Sequence, residues 1–305
     1  MAASLVRNLH LPLKETPLLF TENSIHNKEL RLKLTEFLFE RLEAPQVFLC
    51  KDSVLSSFAC GRSTAIVLDS GALYTTATPV HDGYALQKCT LRNNIGGTTI
   101  TERLFNWLSE SKVEVKPRFT FKSKFTCVDG VENFTTTPIE VSNCDPGYYK
   151  YSQMQIVKDI KEEFLFVAEE PLTGLGAAQQ IRAQAVVLPD GTQCQIGGER
   201  ASIVEKMFST NDELEGFTGV QQMVVDSIGK TDIDIRRDLY QNIIITGGNT
   251  CFKGFMERLQ KQVPDVAPQN VKVKVISAAE KRFTPWVGGS ILSSCGSFQQ
   301  MWMSR

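Results

Sequence analysis

Two short loops in this chain carry residue types suited to holding an anion. In LDSGALYTTATPV, Asp69, Ser70 and Gly71 open a tight Asp-Ser-Gly-Ala turn between two β-rich runs. In NIIITGGNT, Gly247, Gly248, Asn249 and Thr250 stand between a strand and a helix. Small residues let backbone N–H groups face a phosphate, and the second loop adds a helix amino terminus. Either loop alone is what ordinary turn chemistry produces. Two of them, in two α/β halves of one chain, suit a nucleotide gripped from both sides of a cleft. Lys161 and Glu162 lie on the charged face of a helix, where they are candidates for contact with a ribose or base and equally read as a solvated face.

Composition narrows the alternatives. The 33 basic and 34 acidic side chains nearly cancel, so no broad field draws the chain to nucleic-acid phosphates or anionic lipid. Sequence-specific nucleic-acid binding and a membrane location are therefore not expected. The 8 cysteines (Cys50, Cys60, Cys89, Cys127, Cys144, Cys194, Cys251, Cys295) are scattered, without a CxxC pair or zinc-ligand spacing, and read as free thiols in a reducing compartment. MAASLVRNLHLPLKE lacks the apolar core of a signal peptide, and no run is long enough to span a membrane.

The elements that must position the two loops follow from periodicity. A strand is expected over Pro17–Thr21, then a helix over Asn27–Leu42 with Leu30, Leu34, Phe37, Leu38 and Leu42 on one face. Phe48 and Leu49 begin another buried element, Asp52–Ala59 a helix, and Gly61 its C-cap. Ser63–Leu68 and Tyr74–Val80 form an antiparallel hairpin, and a helix follows over Thr99–Leu108. Lys112–Tyr149 is polar, aromatic and irregular, an insertion or small subdomain. A helix over Met154–Ala168 turns Ile156, Ile160, Phe164 and Val167 inward, and Val186–Gln195 is a hairpin built on Pro189-Asp190-Gly191. A buried strand, the double glycine, a helix with Phe255, Leu259 and Val263 on one face, the strand KVKVIS and the apolar run WVGGSILSSCGSFQQMW complete the chain.

FACGRSTAIVLDSGALYTTATPVHDGYAL, LPDGTQCQIGGER, DIDIRRDLYQNIIITGGNTCFKGFMERLQ and RFTPWVGGSILSSCGSFQQMW together resemble actin and the actin-related proteins, in order and over nearly the whole chain. FLCKDSVL, GRST, PVHDGY and TGGNT are most similar to the nuclear type found in SWI/SNF remodellers and histone acetyltransferase complexes. The resemblance implies an α/β, two-lobed actin, Hsp70 and hexokinase type fold, with ATP and Mg or Ca in the cleft. It divides the chain into a partial first lobe over 1–96, a second lobe with an inserted subdomain over 97–195, and a region over 196–305 that returns to the first lobe.

By position, the resemblance assigns Asp69, Ser70 and Gly71 to a phosphate loop, Gly97 to the cleft lining, and Lys158, Lys161 and Glu162 to the adenosine side. Gly247, Gly248, Asn249, Cys251 and Phe252 match the adenine and phosphate segment, and Arg282 the contact closing on the base. Asp69 would reach a metal through water at most. Phe58, Gly61, Tyr84, Val287, Ile291, Leu292, Cys295, Phe298 and Met301 match the groove in which partner helices dock.

Three departures bear on catalysis. Ala72 replaces a carboxylate that in actin holds the metal's water shell, and Asp52 replaces the glutamine beside the attacking water. The first phosphate hairpin of the family has no counterpart before Pro17, which suggests a fragment, an alternative start or an incomplete gene model. The expected role is a non-hydrolysing subunit of nuclear remodelling or acetyltransferase complexes, pairing with actin on a helical segment of the remodelling ATPase beside other subunits. Its compartment is then the nucleus, with the cytoplasm as a second. The competing expectations are a working actin-superfold ATPase and a filament-forming cytoskeletal actin.

Overall fold

The computed structural model describes residues 10–25, 27–128, 131–172, 178–209 and 219–305, with side chains described for all of these except 125–128 and 131–134. Two sheets organise the chain. In the first, β1 (Leu18–Glu22) runs parallel to β2 (Gln46–Lys51), and β13 (Met303–Ser304) closes the far side of β2. The expected first strand is present, one residue later than its spacing implied, and among the described residues it pairs with β2 alone.

The crossover between these strands is α1 (Lys28–Glu36), which runs on into a wide π turn at Phe37–Arg41. It starts where Asn27 accepts a hydrogen bond from the Leu30 amide, an N-cap in the ordinary sense. Its apolar stripe is only half used. Leu38 and Leu42 are buried, whereas Leu30 is 63% and Phe37 41% exposed. The π turn shifts the helical phase after Glu36, and the three-stranded sheet is too narrow to cover the whole stripe.

The second sheet has six strands: β3 (Ala65–Ser70), β4 (Thr75–His81), β5 (Tyr84–Ala85), β6 (Leu91–Asn93), β11 (Ile243–Thr246) and β12 (Val275–Ser277). β12, β11 and β3 run parallel, and β3 turns back into β4. Residues 65–93 thus share a sheet with 243–277 and not with 18–51. Alternation along the strands sorts side chains to two faces. Ile66, Leu68, Ile243 and Ile245 face the large core. Ala65, Val67, Val80 and Ile244 face a smaller one with Val54 and Leu55, in which Leu19, Phe48 and Leu292 also pack.

Helices cover both faces. α2 (Asp52–Ala59) lies in the smaller core against α9 (Thr284–Ser294), and matches the expected span. The large core is built by α3 (Gly97–Glu110), α4 (Pro146–Phe164), α5 (Glu199–Glu205), α6 (Val220–Gly229), α7 (Ile233–Gln241) and α8 (Phe255–Val266). The hairpin of β9 (Gln184–Val187) and β10 (Gln193–Ile196) is present, with Gly191 at φ 85 in its Pro-Asp-Gly turn.

Two expectations are corrected. The segment taken as irregular contains an antiparallel hairpin, β7 (Phe121–Val128) with β8 (Val131–Pro138). α4 begins eight residues before Met154, because Asp145 caps the Tyr148 amide and Pro146 sits in the first turn; it ends at Phe164, after which Leu165 is extended. Cys50, Cys60, Cys89, Cys144, Cys194, Cys251 and Cys295 are free thiols, and the Cys127 side chain lies outside those described. Among the described residues no helix is long and apolar enough to cross a membrane.

Candidate nucleotide cleft and its surroundings

The two loops do not face each other from two halves, as expected; they lie side by side, because β3 and β11 are neighbours in one sheet. β11 pairs with β3 so that Thr246 stands opposite Asp69, which brings Gly247 and Gly248 beside the β3–β4 turn. Asp69 and Ser70 belong to the strand, and the turn proper is Gly71–Tyr74, closed by Gly71 N donating to Tyr74 O at 3.1 Å. Gly247 has φ 92, and a Cβ there would lie 2.3 Å from the Ser70 carbonyl, so the contact requires glycine. Asn249 locks the junction, its Nδ2 donating to Ser70 Oγ (3.0 Å) and Gly71 O (2.8 Å). The start of α3 is bound to the same turn: Gly97 N donates to Gly71 O (3.0 Å) and Thr98 N to Ala72 O (2.8 Å).

Around this junction opens a cavity of about 480 Å³. Of the residues assigned to it from sequence, Gly71, Gly97, Lys158, Lys161, Glu162, Gly248, Asn249, Cys251, Phe252 and Arg282 line it. Asp69, Ser70 and Gly247 stand behind the lining and shape it through the contacts above. Ala72, Thr98 and Thr101 also line it. Thr101 stands one turn of α3 after Gly97, and its Oγ1 donates to Gly97 O at 2.8 Å. Gly248 has open space where a Cβ would stand, so its value is room for a ligand and not relief of strain.

Lys161 is the unusual charge here. It is 94% buried on α4, makes no ion pair among the described residues, and bonds through Nζ to Gly97 O at 3.1 Å. Burial lowers its pKa, while the neighbouring Glu162 raises it and Lys158 and Arg282 lower it further. Lys158 is partly neutralised by Glu162 at 3.8 Å. A buried ammonium without a carboxylate is costly unless a ligand supplies the acceptors. The site favours a ligand rich in oxygen acceptors or carrying negative charge.

On the far side of the Gly71–Tyr74 turn the character reverses. Asp52, at the start of α2, accepts from Ser24 Oγ, from its neighbour Ser53 N at 2.7 Å, and from Asn23 Nδ2 at 3.5 Å. Asn23 also reaches the Tyr74 hydroxyl. Burial raises the Asp52 pKa against these donors. Asp69 receives no hydrogen bond from a described residue, and burial followed by the charge of Asp52 raises its pKa to about 7. Asn23, Ser24 and Tyr74 escape a sequence reading because they sit in unrelated segments; only the pairing of β1 with β2 brings Asn23 and Ser24 to Asp52.

The donor set here does not suit a divalent cation. Ala72 offers no oxygen ligand from its side chain, and among the described residues no group of three His, Cys, Asp or Glu side chains converges. The cavity itself fits the nucleoside portion of a nucleotide: it is glycine-lined, bounded by Phe252, and of ligand size.

A second surface lies at the other end of α2. Phe58 and Tyr84 are 36% and 77% exposed, and the Phe58 ring lies 3.6 Å from where a Gly83 Cβ would be. Ile291 of α9 is 46% and Met301 53% exposed. Cys295 is exposed, Val287 is half-buried, Leu292 packs partly into the smaller core, and Gly61 takes φ 65 after the α2 C-cap. Phe298 does not line a groove: it is 1% exposed, with its ring edge-to-face on Phe48 and Trp302, and serves the core.

Comparison with known proteins places this arrangement. The chain matches the family described as Actin over residues 1–305. It is 35% identical over 306 residues to Actin-related protein 4 of Arabidopsis thaliana, covering 95% of this chain and 68% of the relative. It is also 35% identical to Actin-related protein 4 of Oryza sativa subsp. indica, covering 96% and 68%. Glycine turns on adjacent strands, the mixed sheet with helices on both faces, and a match along the full chain agree, and the chain belongs to the actin family.

Proposed function

We propose that this protein is a partner-binding actin-related subunit of nuclear remodelling or histone acetyltransferase complexes, which pairs with actin on a helical segment of the remodelling ATPase and does not hydrolyse nucleotide. The observation that carries it is the exposure of three large apolar side chains, Phe58 at the C-terminal end of α2, Tyr84 of β5 and Ile291 of α9, the helix packed on α2. A helix with apolar residues on one face is the partner such a surface accepts. Resemblance to the nuclear actin-related proteins, and similarity to proteins named Actin-related protein 4, support the nuclear setting.

The chemistry of the cleft supports binding without turnover. Asp52 stands where the family orients the attacking water, yet its oxygens are engaged by Ser24, Ser53 and Asn23, and its charge opposes approach of an anion. Phosphate release from Mg-ATP should stay at the buffer rate, and Ala72→Asp alone should not raise it, because in-line attack also needs the water positioned. Turnover matching that of actin in the unmodified chain would replace this reading with the working ATPase.

A further inference from the structure

Three buried polar atoms in one place lack the partners that burial ordinarily demands. Glu205, at the end of α5, and Arg258 and Gln262, one turn apart on α8, line a second cavity of about 360 Å³ that shares no lining residue with the cleft. Their bonding is half complete. Arg258 Nη2 donates to Glu205 Oε1 at 2.5 Å, the Leu172 amide donates to the same oxygen at 3.4 Å, and Arg258 Nη1 donates to Ala168 O at 2.6 Å. Glu205 Oε2, Arg258 Nε and Gln262 Oε1 are left over, each with less than 1 Å² exposed and without a hydrogen bond among the described residues.

Buried donors and acceptors are otherwise paired, because an unmet one has given up its bonds to water without replacement. Three around one cavity point to one shared partner. They comprise one donor and two acceptors, the complement of a primary carboxamide: its oxygen accepts from Arg258 Nε while its two N–H bonds donate to Glu205 Oε2 and Gln262 Oε1. A carboxylate would turn oxygens toward both acceptors, and an amidinium would bring a second cation, with no acceptor, to the Arg258 guanidinium. The ion pair of Glu205 and Arg258 leaves this end of the cavity neutral, and Lys206, the other charge on the lining, is exposed to screening by solvent. Pro171, Leu172 and Phe208 give the rest of a ligand an apolar wall.

We propose that this cavity is a binding site for a primary carboxamide, recognised through the unpaired atoms of Glu205, Arg258 and Gln262 and independent of both the cleft and helix docking. The three atoms lie just beneath the lining, so the half-buried Gln262 side chain turns as the amide seats. Two sources carry this group: a free aromatic amide, and an asparagine or glutamine side chain of another protein.

Methyl NMR titration of the whole chain tests it, with benzamide, benzoate and benzamidine as probes of one shape and three hydrogen-bonding patterns. Benzamide should saturate below about 20 mM and shift the Leu172 methyls, and the other two should bind about tenfold or more weaker. Gln262→Leu removes one acceptor and should weaken benzamide about fivefold, while the unfolding midpoint of the free protein holds or rises because an unpaired oxygen is gone. Ser202→Leu, which puts a larger side chain on the cavity wall, should abolish the titration. Tighter binding of acetyl-Leu-Asn-Leu-methylamide than of benzamide supports the proposal with a protein side chain as the source, and the reverse supports it with a free molecule. Equal affinities for the three isosteres, a benzamide affinity unmoved by Gln262→Leu, or no saturable binding of either amide overturns it and leaves water as the partner of the three atoms.

Discussion

Glu205→Ala is expected to lower the unfolding free energy by about 3–5 kcal/mol, among the largest losses from a single truncation in this chain. Arg258 of α8 has a fully buried side chain, and its guanidinium is held by Glu205 at 2.5 Å and the Ala168 carbonyl at 2.6 Å, with the Phe208 ring 5.3 Å away. Burial raises the Glu205 pKa and Arg258 opposes the rise, so the carboxylate depends on its partner. Taking the carboxylate away leaves a buried cation with one carbonyl for company. The pair as a whole is not expected to be strongly stabilising, since both desolvation costs are already borne. Glu205→Leu combined with Arg258→Met should therefore recover most of what Glu205→Ala loses. Urea unfolding of the single and double variants checks both statements, and a Glu205→Ala midpoint equal to wild type would show that the pair carries no such dependence.

The second large effect comes from a contact with no charge in it. Gly288 of α9 lies so close to α2 that an added Cβ would stand 1.8 Å from the Leu55 carbonyl oxygen and 2.5 Å from its carbon. Backbone cannot move aside as a flexible side chain can, so Gly288→Ala must push the two helices apart. A Cβ at the neighbouring Gly289 would stand only 3.3 Å from Leu19 of β1, and Leu55 is completely buried, so the displacement spreads through the smaller core. A loss of about 3 kcal/mol or more follows, at the upper end of overpacking costs. Gly229→Ala is the control. It has free space around its Cβ position and closes a helix, so it should be neutral or slightly stabilising. Equal midpoints for the two alanine variants would refute the close packing of α2 on α9.

That packing matters for function because α2 joins both candidate sites. Asp52 begins the helix behind the β3–β4 turn and Phe58 ends it on the apolar surface, about 9 Å along the axis. α9, pressed against it at Gly288, exposes Ile291 one turn further on. A variant that shifts α2 on α9 should disturb cleft and surface together.

Much of this arrangement was legible in the residues. Alternating β-branched runs revealed β3, β4 and β11, because each strand is buried on both faces and nothing else suits such sequences. The Pro-Asp-Gly turn is local chemistry, and local chemistry reads directly. The cleft residues came from resemblance, and the structure brings most of them to one cavity.

What escaped was non-local or lacked apolar rhythm. The first turns of α4, Pro-Gly-Tyr-Tyr-Lys-Tyr, expose Tyr148 and Tyr151 and bury no side chain fully, so they show no buried face. β7 and β8 carry mostly polar residues, and α7 buries only Leu239 and Tyr240, too few to mark a period. Phe298 has the spacing of a groove residue, and only the approach of Phe48 from β2 turns it inward.

The most direct test of the central claim is a titration of a fluorescent peptide, the helical actin-binding segment of a remodelling ATPase, against the purified chain and its Ile291→Asp variant. Ile291 is 46% exposed, so the free protein should tolerate the carboxylate, while a docked helix would bury it unpaired. Saturable binding to the wild type, weakened by about 100-fold in a variant with an unchanged unfolding midpoint, is the predicted result. Equal affinity for both proteins, or no binding to either, would contradict the account.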